Sequence, residues 1–142
     1  SVMTLFVVVL ASLALTQSPV QGDDAPDAAS AVAVDPVLEQ TAHEWLALLD
    51  QGRWDESYEA TATIFQTLNS GETWSALSEQ VRAPLGDAKS RVLVEHESVK
   101  SLPNDTVVIC FRTSFANRGE MTETISLVRE DGAWKILGYW IG

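Results

Sequence analysis

The hydrophobic period of this chain changes once, at Lys89, and that change limits the folds open to it. Before it, apolar residues recur at helical spacing. After it, they alternate as in strands. Helical patterns that all precede strand patterns imply an α+β domain, with helices covering one face of an antiparallel sheet.

The helical half divides into three patterned stretches. Asp35-Pro36 reads as an N-cap followed by proline at the first helical position. Leu38, Ala42, Trp45, Leu46 and Leu49 then form one stripe, and Gly52 suits the left-handed stop, so a helix is expected over about residues 36–51. Trp54, Tyr58, Ala62, Phe65 and Leu68 share a second face. Thr61, Thr63, Ile64 and Thr67 weaken that stretch and predict a break near Ala60. Ser70 can cap a further helix lined by Trp74, Leu77, Ser78 and Val81, which Pro84 and Gly86 end.

The strand half contains four segments. They are Arg91 to Val99, Thr106 to Phe115, Met121 to Arg129 and Trp134 to Ile141, separated by turns at Leu102-Pro103-Asn104-Asp105, Asn117-Arg118-Gly119 and Asp131-Gly132. Parity puts Val107, Ile109, Phe111, Thr113 and Phe115 on one face of the second strand. In the third, Met121, Glu123, Ile125 and Leu127 share a face. In the last, Trp134, Ile136, Gly138 and Trp140 are expected opposite Leu137, Tyr139 and Ile141. The apolar character of this strand suggests that it pairs inside the sheet, under the helices. Trp134 is expected to pack on the sheet, and its loss, if fully buried, to cost about 3–5 kcal/mol.

The 142 residues suffice for one domain. Residues 4–15, TLFVVVLASLAL, are uncharged and apolar. They are too short for a bilayer, which needs about 20 residues, and suit a signal-peptide core. Small residues at Val20 and Gly22 place the expected cleavage after Gly22. The expected organisation is a signal peptide over 1–22, a flexible Ala- and Asp-rich leader over 23–34 and a single domain over 35–142, in a periplasmic or secreted protein without stable membrane insertion after cleavage. Twenty acidic and nine basic residues give a net charge of −11, which disfavours nucleic acid and anionic membrane surfaces. The lone Cys110 cannot form an internal disulfide and is expected to be buried.

The stretches GRWDESYEA, VRAPLGDAKSRVL and FRTSFANRGEMTETISLVREDGAWKILGYWI, in this order, resemble the domain-of-unknown-function family numbered 4019 over about residues 38–141. The most specific parts are Val81 to Gly86 with Ser90-Arg91, and the closing Glu123, Asp131-Gly132, Trp134 and Gly138-Tyr139. The resemblance implies an exported bacterial protein with one α+β domain. The helices-then-curved-sheet order also looks like the nuclear-transport-factor-2-like or cystatin-like architectures. No activity or catalytic residues come with the family.

Few residues invite a chemical role. His43 and His96 lie on different elements, and neither HExxH nor CxxC occurs, so no metal or other cofactor is expected. His43 is expected on the solvent side of its helix and His96 half-buried on an edge strand. PLGDAKSR lacks the P-loop pattern. Arg82 and Arg91, which flank it, can brace the helix-to-sheet junction or hold an anionic ligand. The five tryptophans read as core. Glu123 stands on an apolar face and so needs a partner, a proton or a wet cavity. One of Arg82 and Arg91 is the expected partner, tying the helix that Ser70 caps to the sheet. Glu123, Arg82, Arg91 and Tyr139 are therefore the candidate binding residues of a non-catalytic module whose partner is a protein or a small ligand. The alternative is a small-molecule enzyme with a cone-shaped pocket, using Glu123 as acid or base, with Tyr139 the other candidate.

Overall fold

Among the described residues four α-helices precede four strands, as the change of period requires. The computed structural model describes residues 34–100 and 104–142. The expected signal peptide, nearly all of the leader, and the Leu102-Pro103 part of the first strand connection lie outside the described residues. The helices are α1 (Pro36–Asp50), α2 (Trp54–Glu59), α3 (Thr63–Leu68) and α4 (Gly71–Arg82), the last followed by a 3-10 turn, Ala83–Leu85. The strands are β1 (Ala88–Val99), β2 (Thr106–Phe115), β3 (Gly119–Glu130) and β4 (Ala133–Ile141). They form one antiparallel sheet in the order β1-β2-β3-β4.

Local chemistry explains the ends. The Asp35 carboxylate accepts from the Val37 N–H at 2.9 Å with Pro36 at the first position, and the chain leaves α1 through Gly52 at φ 71°. The expected second helix is broken into α2 and α3. Across the break, the Ala62 N–H donates to the Ile136 carbonyl at 2.7 Å and the Ile136 N–H donates to the Ala60 carbonyl at 3.1 Å. The Ala60–Ala62 segment, with Thr61 at its centre, thus leaves the helix and pairs with the sheet, and Thr63, Ile64 and Thr67 return to a helix in α3. Ser70 caps α4 by accepting from the Thr73 N–H at 3.1 Å. The β3–β4 turn has φ 52° at Asp131 and 80° at Gly132, the left-handed pair that matches strand twist.

The core lies between the helices and one sheet face. Leu38, Ala42, Trp45, Leu46 and Leu49 of α1, Phe65 and Trp74 meet Ile109, Phe111, Phe115, Ile125, Leu127, Ile136, Tyr139 and Ile141. Trp45 stacks on Trp74 with centroids 6.0 Å apart and meets Tyr139 edge-on at 5.3 Å. The two indole N–H groups both reach Ser57: Trp45 Nε1 donates to its carbonyl at 2.9 Å, Trp74 Nε1 to its hydroxyl at 2.8 Å. This satisfies polar atoms that the aromatic core would otherwise bury unpaired.

The last strand differs from expectation in two ways. It is an edge strand, not an interior one, because a meander of hairpins keeps the strands in chain order. The Ala60–Ala62 segment covers the middle of that edge. The register also slips between Ser126 and Leu127, so Leu137 is bulged. Ile136 opposes Leu127, but Tyr139 opposes Ile125 and Ile141 opposes Glu123, while Trp140 opposes Thr124. Trp134 and Trp140 therefore lie on opposite faces. Leu137 joins Ala62 and Val128 in a second small cluster, so β4 buries apolar groups on both sides.

Trp134 is half-buried, with the Arg129 guanidinium 4.5 Å from its ring centroid. Trp134→Ala is accordingly expected to cost only about 1–2 kcal/mol in chemical denaturation. Trp140→Ser, at a ring 40% exposed on the helix-free face, is expected to stay within about 0.5 kcal/mol of the parent. Equal losses in the two variants would contradict the bulge. Cys110 is half-buried rather than enclosed, because it too faces away from the helices, with its sulfur 3.6 Å from Thr124 Oγ1. His43 is partly covered: its ring meets Phe111 at 4.9 Å, and Nε2 lies 3.4 Å from Glu39. His96 is half-buried on the edge strand β1.

Candidate functional site

The strand pairing brings Leu93, Phe111, Glu123 and Ile141 into one row across the inner face, with Arg91, Thr113 and Met121 in the next. Glu123 is thus surrounded by apolar groups and has no exposed surface. Its carboxylate is nonetheless fully engaged. Oε1 accepts from Arg91 Nε at 2.9 Å and from the Thr113 hydroxyl at 2.5 Å, and Oε2 accepts from the Tyr139 hydroxyl at 2.5 Å.

Arg91 then turns its other two nitrogens outward to Asp50. Nη1 donates to Oδ2 at 2.8 Å and Nη2 to Oδ1 at 3.0 Å, a two-pronged pair. Arg82, at the end of α4, donates from Nη2 to the same Asp50 Oδ1. Its guanidinium lies over the Phe115 ring, 4.5 Å from the centroid. Of the two arginines, one of which was expected to hold Glu123, it is Arg91 that does so; Arg82 bonds Asp50 instead. Asp50 links them, so α4 is tied to the sheet through the end of α1.

The four charged groups, Arg82, Arg91, Asp50 and Glu123, balance to zero. This balance permits burial, since an unpaired ion in the interior is costly. The Asp50 side chain, 24% exposed, is where the network meets solvent. It borders a surface groove of about 260 Å³ lined also by Leu49, Trp54, Arg82, Gly86 and Asp87.

Burial acts against the charge of Arg91, yet the hydrogen bonds and charges of Asp50 and Glu123 outweigh it and raise the guanidinium's pKa above its ordinary value. Burial raises the Tyr139 phenol well above the usual 10.0, and the Glu123 charge and hydrogen bond add to this against the opposing charges of Arg82 and Arg91. A folded-state pKa above the unfolded one stabilises the fold fully below the unfolded value. That contribution is lost as pH climbs from the unfolded value toward the folded one. Stability should therefore fall as pH rises above about 10. The fall should be shallower in Tyr139→Phe, although that variant starts lower because Glu123 Oε2 loses its donor. Thermal melts between neutral pH and strongly alkaline pH would show it; parallel curves for the two proteins would refute the assignment.

All four residues singled out in the sequence, Glu123, Arg82, Arg91 and Tyr139, belong to this cluster. Two members, Asp50 and Thr113, were not foreseen. Each left a signal. Asp50 places a negative charge in the last turn of α1, where the helix dipole disfavours it, and no basic residue shares that turn. Thr113 is a hydroxyl in the otherwise apolar row Ile109, Phe111, Phe115. Both breaches of local rule have the same explanation, a network completed across the fold.

Fold and site together define a small α+β domain in which a largely buried, charge-balanced network locks helices to sheet. The sequence profile of the family described as protein of unknown function (DUF4019) matches residues 41–139, and the chain belongs to that family. No curated protein matches it. Among the described residues no helix is long and apolar enough to cross a membrane.

Proposed function

We propose that the chain is an exported, non-catalytic binding module, acting in the periplasm or outside the cell, that recognises a protein or small ligand on its surface. The observation that carries this reading is the condition of Glu123. A general base must reach the proton it removes. Glu123 is sealed from solvent and holds three donors from its own protein. Its role is that of a strut, and the rigid interior supports a surface. The helix-free sheet face offers Val92, 59% exposed, and Trp140 to a partner. Tryptophan is among the residues that dominate binding interfaces.

The test places a photoreactive amino acid at position 92 or 140 of the full chain in living cells, with position 56 on α2 as control. Fractionation of the same cells reports export. The expected result is a discrete cross-linked product from 92 and 140, absent from 56, in the exported fraction. Products from all three positions alike, from none of them, or only from protein retained in the cytoplasm would overturn the reading.

A further inference from the structure

Arg53, Arg82, Arg91, Arg112 and Arg129 each have a carboxylate within 4.0 Å. Arg118, the remaining arginine, has none among the described residues, although the chain carries 20 acidic residues to 9 basic ones. It stands in the β2–β3 turn and borders a groove of about 250 Å³ between that turn and the end of α4. The inner part of the groove is apolar. Leu85 and Ile141 there are buried, Val81 and Met121 half-buried. The polar residues Gln80, Asn117 and Arg118 are exposed and so lie at the mouth. The two lips are fastened together: Asn117 donates from its backbone N–H to the Leu85 carbonyl at 2.9 Å, and from Nδ2 to the Pro84 carbonyl at 3.3 Å. The turn that carries Arg118 is thus held in place by the protein itself, and a ligand need not order it.

We propose that this groove binds a small free carboxylic acid with an apolar body about the size of one aromatic ring, its carboxylate paired with the Arg118 guanidinium. The apolar inner part selects the body, since an apolar cavity of about 150 Å³ already holds benzene. The guanidinium fork selects the carboxylate, the partner that the other five arginines find inside the protein. One unpaired cation on a chain of net charge −11 offsets one negative charge, so a dianion such as a phosphate monoester is disfavoured. Size selects a small acid, because drug-sized ligands occupy pockets of about 300–1,000 Å³. The groove lies on the helix side of the sheet, away from Val92 and Trp140, so this site and the partner surface proposed above stand or fall separately.

The test titrates 3-phenylpropionate into the purified chain at neutral pH and follows backbone amide shifts by NMR. The controls are 3-phenylpropanol, which keeps the body without the charge, and propionate, which keeps the charge without the body. Saturable shifts confined to residues 80–85, 117–121 and 141 are expected, with each control binding at least about tenfold more weakly. Arg118→Gln, a change at an exposed turn position, is expected to erase the preference for the acid over the alcohol and to leave the alcohol's weak binding as it was. Equal binding of acid and alcohol, an undiminished preference in Arg118→Gln, or no localised shifts at millimolar ligand would overturn the proposal. Tighter binding of an acetylated peptide ending in phenylalanine would put a protein C-terminus in place of the small acid, and would overturn it too.

Discussion

Arg91→Met should lose about 3–5 kcal/mol of stability, the usual result of removing one partner of a buried ion pair. The cause is what it leaves behind. Glu123 keeps Thr113 and Tyr139 but loses its cation, while Asp50 loses two of its three hydrogen bonds. Out of a typical total of about 5–15 kcal/mol, that is a large share. Adding Glu123→Gln removes the stranded charge, so the double variant should recover part of the loss and be more stable than Arg91→Met alone. Urea denaturation of the parent, both single variants and the double variant gives the coupling directly. Additive losses with no recovery would show that Arg91 acts through packing, not charge.

The second large effect is expected at Trp45. Trp45→Ala should cost about 3–5 kcal/mol, the range for truncating a buried aromatic residue. The indole is 2% exposed, contacts Trp74 and Tyr139, and donates to the Ser57 carbonyl. Truncation therefore opens a cavity between α1 and the sheet and also orphans a buried acceptor. Trp45→Phe restores much of the volume but not the N–H, so it should fall between the parent and Trp45→Ala. A Phe variant no better than Ala would mean that the hydrogen bond outweighs the packing.

The network's outline was legible before the structure because strand parity needs no tertiary information. Successive side chains alternate faces, so Glu123 had to share a side with Ile125 and Leu127. The same reasoning failed in β4, where the bulge at Leu137 shifts parity by one and separates Trp134 from Trp140. Nothing in the alternation around Leu137 marks the slip. It allows Leu137 to pack with Ala62 and Val128, and Ala62 arrives from the break between α2 and α3, far away in sequence.

What the sequence determined by itself was local: the helix stripes and caps, the break after α2, the strand alternation before the bulge, the Asp131-Gly132 turn, and a core carboxylate in need of a partner. These follow from backbone preference and from hydrophobic period over a few residues. Tertiary structure decided which arginine meets Glu123, that Asp50 joins the two arginines, and that β4 lies at the edge beneath a strand-like piece of chain. Each of those outcomes depends on groups brought together from distant parts of the chain. An ion pair forms where geometry allows a charge to be both buried and balanced, and only the assembled fold supplies that geometry.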